Sequence, residues 1–316
     1  MKNNNAKKYP LISMIILNWN GKEDTKECMN SLVNLRYPKE KIEIIVSDNG
    51  SEDGSQESIK NHFRKLQKNN WNNLCLIENK KNLGAPMAYN IALKRVNPGC
   101  EYILKLDNDV VLSKGSLSEM LKIFNEEENI GIVGPKIMHY DNPKKISHGA
   151  GFLNTTTGQI SNVDSPKKIE CDFVTGCTML IKKNILKELE SFLDEKFFIY
   201  WDDTDFCFRV KKMGYKILYT PITKVLHKVS SSTKAKEKSI FSIYYYIRNK
   251  LLFIHKHSNI FQKIPLFTAY ILIGVPKFIL TSIFVWDKNI NTKKIKYYLK
   301  AVISGILNRG GKIDIK

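Results

Sequence analysis

Cysteine, proline and glycine are scarce in this 316-residue sequence, and basic residues far outnumber acidic ones. With only 10 prolines and 17 glycines, the chain is neither collagen-like nor a proline- and glycine-rich low-complexity protein. Its six cysteines include no Cys-x-x-Cys pair, and a chain of this length can bury a core without a disulfide framework. We therefore predict reduced, mostly buried cysteines. The 43% of hydrophobic residues excludes a wholly disordered chain.

The shortage of acidic residues is concentrated in the last third of the chain. Residues 221–316 contain 18 Lys and Arg but only three acidic residues, a net charge of +15. Residues 1–220 contain 32 Lys and Arg and 28 acidic residues, a net charge of +4. The total of +19 therefore predicts a nearly neutral domain followed by a basic extension. A basic surface usually binds an anion, such as nucleic acid, an anionic membrane or a phosphorylated ligand.

The chain begins with a polar, basic stretch, which we interpret as an N-terminal extension at 1–9. The apolar run at 11–17 is too short for a secretory signal and leads directly into Asn18 and Asn20. It therefore predicts a buried first strand, and the sequence favours a cytoplasmic location.

Residues 10–238 alternate between short apolar runs and segments with helical spacing, and we predict that they form one domain. The predicted strands are 11–17, 42–47, 73–78 and 102–106, and the predicted helices are 24–35, 56–66 and 85–96. This order predicts an α/β fold with a mostly parallel, doubly wound sheet, in which ligands bind beyond the carboxyl ends of the strands. Further along the chain we predict strands at 132–135, 173–175, 179–181 and 216–219, helices at 184–193 and 204–213, and a loop or hairpin at 140–170.

Two groups of acidic residues follow predicted strands. Asp48 could accept hydrogen bonds from a nucleobase or ribose, although its Asn, Gly and Ser neighbours also suit a plain polar turn. Asp107 and Asp109 are two residues apart, so a turn could aim both carboxylates at one divalent cation. Mg²⁺ and Mn²⁺ prefer such hard oxygen ligands, and a solvated turn is the alternative.

A third acidic group, Asp202, Asp203 and Asp205, follows the aromatic run at 197–200. Carboxylates beside aromatic residues that exclude water could supply a general base with a shifted pKa. The alternative is a helix N-terminus whose acids complement the helix dipole. His227 follows the last predicted strand, and it is a candidate metal ligand only if a metal site lies near it.

Taken in this order and spacing, the motifs resemble those of the family 2 glycosyltransferases of the GT-A fold, especially the rhamnosyltransferase-like branch. The resemblance covers residues 10–255, and it is carried by the segments 15–20, 46–51, 82–84 with Asn90, 106–109, 175–177, 198–209 and 246–249. It implies an enzyme that transfers a hexosyl or deoxyhexosyl group from a nucleotide-diphosphate sugar in surface polysaccharide or glycan biosynthesis.

The resemblance also implies roles for individual residues. The nucleotide-sugar pocket would comprise Asn18, Asn20, Asp48, Asn82, Gly84 and Asp107. The ligands of a divalent cation, Mg²⁺ or Mn²⁺, would be Asp107, Asp109 and His227. Asp203 would be the general base in a single displacement with inversion. Its neighbour is Asp202 where the family has Glu, so which of the two reaches the acceptor hydroxyl stays open.

The extension at 239–316 is predicted to be helical, and residues 264–286 form an apolar run with one charge, Lys277. About 20 apolar residues can span a membrane. Pro276 and Lys277 in the middle favour two short helices lying at the membrane surface instead. Flanking lysines suit anionic headgroups, which predicts peripheral attachment to the inner face of the cell membrane and a glycan or polyprenyl-linked acceptor. The alternative is packing on the catalytic domain or at an interface of a homo-oligomer.

Two other functions are compatible with parts of the sequence. A nucleic-acid-binding protein would explain the charge, but the acidic clusters at the predicted cleft would repel phosphate backbones. A nucleotidyltransferase acting on sugar phosphates uses a similar sheet and metal site, but no glycine-rich phosphate loop follows the first predicted strand. Nucleic acid is therefore not an expected partner, and the nucleotidyltransferase remains the alternative enzyme.

Overall fold

The computed structural model describes residues 9–155, 158–228, 240–285 and 288–314, with side chains described except at 283–285 and 288–291. All of the predicted N-terminal extension except Tyr9, the predicted boundary at 238/239 and Trp286 lie outside the described residues.

The described strands are β1 (Ile12–Asn18), β2 (Ile42–Asp48), β3 (Leu74–Glu78), β4 (Tyr102–Asp107), β5 (Val110–Leu112), β6 (Ile130–His139), β7 (Ile146–His148), β8 (Ala150–Asn154), β9 (Gln159–Val163), β10 (Ile169–Glu170), β11 (Thr178–Lys182) and β12 (Lys216–His227). The described α-helices are α1 (Lys22–Val33), α2 (Ser55–Lys68), α3 (Ala85–Leu93), α4 (Ser116–Phe124), α5 (Asp202–Lys212), α6 (Ile240–His257), α7 (Ile260–Ala269), α8 (Val275–Val285) and α9 (Lys288–Ile306).

The main sheet has the strand order β10-β12-β6-β11-β4-β1-β2-β3. Its strands β4, β1, β2 and β3 are parallel neighbours, β12 is parallel to β6, and β11 runs antiparallel between β4 and β6. The predicted α/β fold with a mostly parallel sheet is therefore confirmed. Asn18 pairs with Asp48 in register, and Leu17 pairs with Asp107. The ends of three parallel strands thus bring three predicted site residues to one edge.

Helices cover both faces of the sheet because side chains alternate along the strands. Met14 and Ile16 point into a core that includes residues of α1, α2 and α4, whereas Ile15 points into a second core with α3 and α5. The six cysteines are unpaired, and only Cys75 is less than fully buried. The prediction of mostly buried cysteines is confirmed.

The predicted helix at 184–193 is wrong. A short 3-10 turn at Lys183–Lys187 is followed by irregular backbone. The apolar spacing is real, since Ile185, Phe192 and Leu193 are buried together. The backbone carbonyls of this segment are, however, bound by side chains: Arg209 donates to those of Ser191 and Phe192, and Asn90 to that of Leu193. Side-chain donors thus replace the bonds that a helix would have provided.

The predicted loop or hairpin at 140–170 is a hairpin, formed by β8 and β9. The strand predicted at 173–175 is also wrong, because only Phe173 forms an isolated bridge, to Gly151 at the base of that hairpin. The segment instead provides buried side chains for the core under α5, including Phe173 and Val174.

The C-terminal helices are attached to the α/β domain by α6 and α9. Tyr244 and Tyr245 of α6 and Tyr297 of α9 form one buried cluster with Phe198. Packing on the α/β domain, the alternative raised for this extension, therefore applies to these two helices.

The apolar run between α6 and α9 forms one continuous helical stretch rather than the expected two helices, because α7 and α8 are joined by a π-helical segment at Tyr270–Gly274. Pro276 lies directly after the π-helical segment, as the second residue of α8. Residues Ile260–Ser282 are long and apolar enough to cross a membrane. Much of their apolar surface is exposed, including 84% of Phe261, 68% of Leu272 and 66% of Ile273.

Candidate active site

A buried hydrogen-bond network at the ends of β1 and β2 holds Asp48. Its carboxylate accepts from Asn18 Nδ2 at 2.7 Å, from the Ser51 backbone N–H at 3.0 Å and from Gln56 Nε2 at 2.8 Å. Asn18 and Asp48 are both fully buried. Asn20, by contrast, is exposed in the following loop, where its side chain accepts from the Glu52 backbone N–H. The network fixes the edge of the cleft, with Asp48 already accepting three hydrogen bonds.

A second network joins the predicted pocket residues Asn82 and Gly84 to the end of β2. Asn49 donates to Asn82 Oδ1 at 3.1 Å and to the Gly84 carbonyl at 3.3 Å, and the Gly84 N–H donates to Asn82 Oδ1 at 2.9 Å. Gly84 has φ +89°, and a Cβ there would lie 2.5 Å from the Phe198 ring. Glycine is therefore required at this position for two reasons. Any other residue would be strained at this positive φ, and its Cβ would collide with Phe198.

Asp107, Asp109 and His227 form a compact cluster at the end of β4. One potential ligand atom of each lies within 4.8 Å of those of the other two. His227 is next to Asp109 because the end of β12 pairs antiparallel with β5, and the distance from its Nε2 to Asp109 Oδ1 is 3.1 Å. Burial alone would lower the pKa of His227, but the hydrogen bond and negative charge of Asp109 outweigh it and raise this pKa.

The cluster fits a hard divalent cation. Two carboxylates and one imidazole are a ligand set suited to Mn²⁺ or Mg²⁺ when other ligands complete the shell. His227 Nδ1 is buried and has no hydrogen-bond partner among the described residues. The pKa of Asp107 is raised, chiefly because protein displaces water around its carboxyl group, with Lys105 opposing and Asp109 adding to the shift. The excess of negative charge that favours a proton on His227 would equally favour a cation.

Lys105 is a buried cation between Asp107 and the acids that begin α5. Its Nζ donates to the Gly176 carbonyl at 2.6 Å, lies 3.8 Å from Asp107 Oδ1 and sits 4.1 Å above the centroid of the Tyr89 ring. The Tyr89 hydroxyl in turn donates to the Leu106 carbonyl at 2.6 Å and lies 3.0 Å from Asp107 Oδ1. Lys105 therefore partly compensates the negative charge of the acids around it.

Asp202 and Asp203 begin α5 and lie across Gly176 from Lys105. Asp203 is partly exposed, and its two carboxylate oxygens accept from the backbone N–H groups of Gly176 and Thr204, each at 2.7 Å. Asp202 is 7% exposed. Burial, followed by the charge of Asp203, raises the pKa of Asp202, and Lys105 partly opposes the rise. The two neighbouring acids thus have different environments, with Asp203 the more accessible.

Asp205, the third acid of this group, is fully buried away from the other two. It pairs with Arg209 at 2.8 Å, with Lys256 at 2.9 Å and with His257 at 2.7 Å. Burial would raise the pKa of Asp205, but these partners, His257 first, lower it to about 2. Asp205 therefore joins α5 to α6 and does not face the cleft.

The sequence reasoning missed Lys105 and His148. Lys105 lies two residues before Asp107 in an apolar strand, so the period of a strand already placed both on one face. His148 ends β7, and both Asp203 and His227 influence its pKa, which burial lowers overall. No motif marks His148 in the sequence, because its position depends on how β7 pairs with β6.

Comparison with known proteins gives consistent matches. The family model described as "Glycosyl transferase family 2" matches residues 13–190. The low-salt glycan biosynthesis hexosyltransferase Agl10 of Haloferax volcanii is 23% identical over 95% of this chain and 92% of its own length. The N-acetylglucosaminyl-diphospho-decaprenol L-rhamnosyltransferase of Mycobacterium tuberculosis is 22% identical over 61% of this chain and 68% of its own. The mannosyltransferase PcManGT from Pyrobaculum calidifontis, solved with GDP-Man and Mn²⁺, is 14% identical with a TM-score of 0.57, over 95% of this chain and 88% of that one.

Proposed function

The chain belongs to glycosyl transferase family 2, and we propose that it transfers a sugar from a nucleotide-diphosphate sugar to a hydroxyl group of a glycan or lipid-linked acceptor, with inversion at the anomeric carbon. One observation carries the proposal. The Asp107–Asp109–His227 cluster and the Asp202–Asp203 pair lie close together around Lys105, which is 3.8 Å from Asp107 and donates to the carbonyl of Gly176, whose own N–H donates to Asp203. The first would hold the donor's diphosphate through a cation, and the second would activate the acceptor.

Asp203 is proposed as the general base. It is the more accessible acid of the pair, and hydrogen bonds from two backbone N–H groups fix its orientation. In a single displacement the acceptor hydroxyl gives its proton to Asp203 as its oxygen attacks the anomeric carbon, and the nucleotide diphosphate leaves. Inversion then follows, as in enzymes whose second carboxylate does not act as a nucleophile.

The cation is proposed to be held by Asp107, Asp109 and His227. When bound, Mn²⁺ or Mg²⁺ acts as a Lewis acid that neutralises charge developing on the leaving diphosphate. The structural neighbour PcManGT was solved with GDP-Man and Mn²⁺, which supports this role. Asn18, Asn20, Asp48, Asn82 and Gly84 would line the nucleotide pocket, with Asp107 on its ribose side.

A binding panel tests the proposed activity. Thermal unfolding measured with UDP-hexoses, GDP-mannose and dTDP-rhamnose is expected to show one nucleotide-sugar that raises Tm, and the increase should require Mn²⁺ or Mg²⁺. At a free ligand concentration of 100 times Kd, binding raises the free energy of unfolding by about 2.7 kcal/mol. Stabilisation by a nucleoside triphosphate with a sugar phosphate, and by no nucleotide-sugar, would instead favour a nucleotidyltransferase.

We also propose that α7 and α8 bind the cytoplasmic face of an anionic membrane. Their exposed apolar side chains would enter the interface, and basic residues on the flanking helices would contact the headgroups. The decaprenol-linked substrate named for the mycobacterial relative supports a lipid-linked acceptor. This arrangement would hold the cleft beside the surface where such acceptors lie.

Vesicle sedimentation tests the membrane proposal. The protein is expected to bind phosphatidylglycerol-containing vesicles more strongly than pure phosphatidylcholine ones. Replacing Leu272 and Ile273 by glutamate should weaken binding about tenfold or more, because two large aliphatic side chains lose their apolar environment. The control is Ile222→Glu, since Ile222 is 70% exposed on the α/β domain. Equal binding by all three proteins would exclude this surface.

A further inference from the structure

An open groove of about 710 Å³ lies between the β8–β9 hairpin and α6. Both strands of the hairpin line it, and α6 contributes Lys250; the lining residues are Phe152, Leu153, Asn154, Gln159, Ile160, Ser161 and Lys250. One wall is therefore mixed polar and apolar, and the other carries a cation. Neither the nucleotide-pocket residues nor the metal-ligand cluster lines this groove.

Lys250 is a partly buried cation without a carboxylate partner among the residues that the structure describes. Its Nζ lies 5.5 Å from the centroid of the Tyr270 ring, and desolvation lowers the pKa of Lys250. Its stem packs against Gly158 in the hairpin turn. By contrast, two cations on the same helix are fully paired: Lys256 binds Asp194 and Asp205, and Arg248 binds backbone carbonyls. An anion in the groove would compensate the charge of Lys250.

The groove lies near the proposed base. Tyr246 lies one helical turn before Lys250, on the same face of α6. Its ring centroid is 5.9 Å from that of Trp201, the residue before Asp202, and the charge of Asp203 contributes to raising the Tyr246 pKa, after burial. Trp201 also shares a buried cluster with Leu153 of the groove. A ligand reaching from Lys250 past Tyr246 would therefore present a hydroxyl group near Asp203.

Lys250 also adjoins the exposed apolar helix. Tyr270, which contacts Lys250, is the first residue of the π-helical segment, and the next three residues, Ile271, Leu272 and Ile273, are each at least half exposed. An apolar surface thus adjoins the cation, and the cation lies one helical turn from Tyr246, whose ring is close to that of Trp201, the residue before the acid pair. A lipid-linked glycan has the matching order of apolar chain, phosphate and sugar hydroxyl.

We propose that this groove is the acceptor site and that Lys250 binds the phosphate group joining the lipid to the sugar of the acceptor. The inference rests on the proposed function and adds to it the acceptor class and the residue that recognises it. Lys250 would act as a binding residue, because its contact is with the acceptor phosphate and not with the reacting atoms.

The test uses geranyl diphosphate as a short probe, with binding to the full chain measured by isothermal titration calorimetry. EDTA is present so that no cation can hold a diphosphate at the Asp107–Asp109–His227 cluster. Lys250→Met is expected to weaken binding about 10- to 100-fold, the loss expected for one charge-assisted hydrogen bond. Lys250→Arg should retain most of the affinity, and Lys65→Met, at an exposed lysine on α2, should match wild type.

Two further ligands identify what Lys250 recognises. Geraniol, which lacks phosphate, should bind wild type and Lys250→Met equally weakly. Inorganic pyrophosphate should bind wild type more weakly than geranyl diphosphate does; equal affinity would indicate a free-anion site and overturn the lipid assignment. Unchanged geranyl diphosphate affinity in Lys250→Met, or no binding by wild type, would overturn the inference. Nucleotide-sugar binding should be the same in Lys250→Met and wild type. A failure of the proposed function would appear separately, as no stabilisation by any nucleotide-sugar in the thermal-unfolding panel.

Discussion

Replacing Asp203 by asparagine is expected to lower kcat for sugar transfer about 10²- to 10⁴-fold, the contribution of a positioned general base. Asparagine has almost the same shape, and its side-chain oxygen can still accept from the Gly176 or Thr204 N–H group. It cannot take a proton from the acceptor hydroxyl. Binding of the nucleotide-sugar, measured by calorimetry with Mn²⁺, should stay within about twofold of wild type, well under 1.4 kcal/mol.

The matched control is Asp202→Asn. Burial raises the pKa of Asp202, so asparagine mimics the protonated form that this environment favours, and transfer should fall by less than about tenfold, or 1.4 kcal/mol in activation free energy. The two variants together decide between the neighbouring acids. If Asp202→Asn is inactive while Asp203→Asn retains full transfer, the roles are reversed, and Asp202 is the base.

Removing the cation, or one of its proposed ligands, is expected to lower kcat for sugar transfer about as much as Asp203→Asn does. Wild type should lose transfer in EDTA and recover it when Mn²⁺ is restored. Asp109→Ala should lower kcat about a thousandfold, since Lewis-acid stabilisation of the leaving group is worth several kcal/mol and 1.36 kcal/mol corresponds to tenfold. It should also raise the Mn²⁺ concentration that gives half-maximal activity.

Glu190→Gln is the control for this experiment, because it removes one acidic charge at an exposed position. Its Mn²⁺ dependence and kcat should match wild type. Full transfer by wild type in EDTA would show that the reaction needs no cation, and the Asp107–Asp109–His227 cluster would then require another explanation, such as binding the donor through a protonated His227.

Predictions from the sequence were most accurate where a residue's position depends on its own strand. Asp48 and Asp107 end parallel strands, so a correct strand prediction already places them at one edge. The same holds for the fold class, because strands and helices alternate regularly through the first half of the chain. The proximity of His227 to Asp109 depends in addition on β12 pairing with the short strand β5, which no local pattern indicates.

Predictions were wrong, or were not made, where side chains from distant segments form hydrogen bonds with backbone carbonyl groups. The segment at 184–193 has helical spacing, yet Arg209 and Asn90 bind its carbonyls. Lys105 reaches Gly176, 71 residues away in sequence, so its role in the cleft needed the fold. The burial of Asp205 apart from Asp203 was likewise not predictable from their spacing, because two of its partners, Lys256 and His257, come from α6.

The backbone just before Asp202 is held by two buried residues of α6. Asn249 donates to the carbonyls of Phe197, Ile199 and Tyr200, and Arg248 donates to that of Phe197. Phe198, Tyr200 and Trp201 all have positive φ, a conformation that non-glycine residues keep only when their surroundings impose it.

During synthesis on the ribosome, α6 emerges only after the α/β domain is complete. A nascent chain that has exposed Asp202 and Asp203 therefore still lacks the donors that shape the segment before them. Activity should begin only once α6 has left the ribosome and docked, so an unfinished chain would not consume nucleotide-sugar.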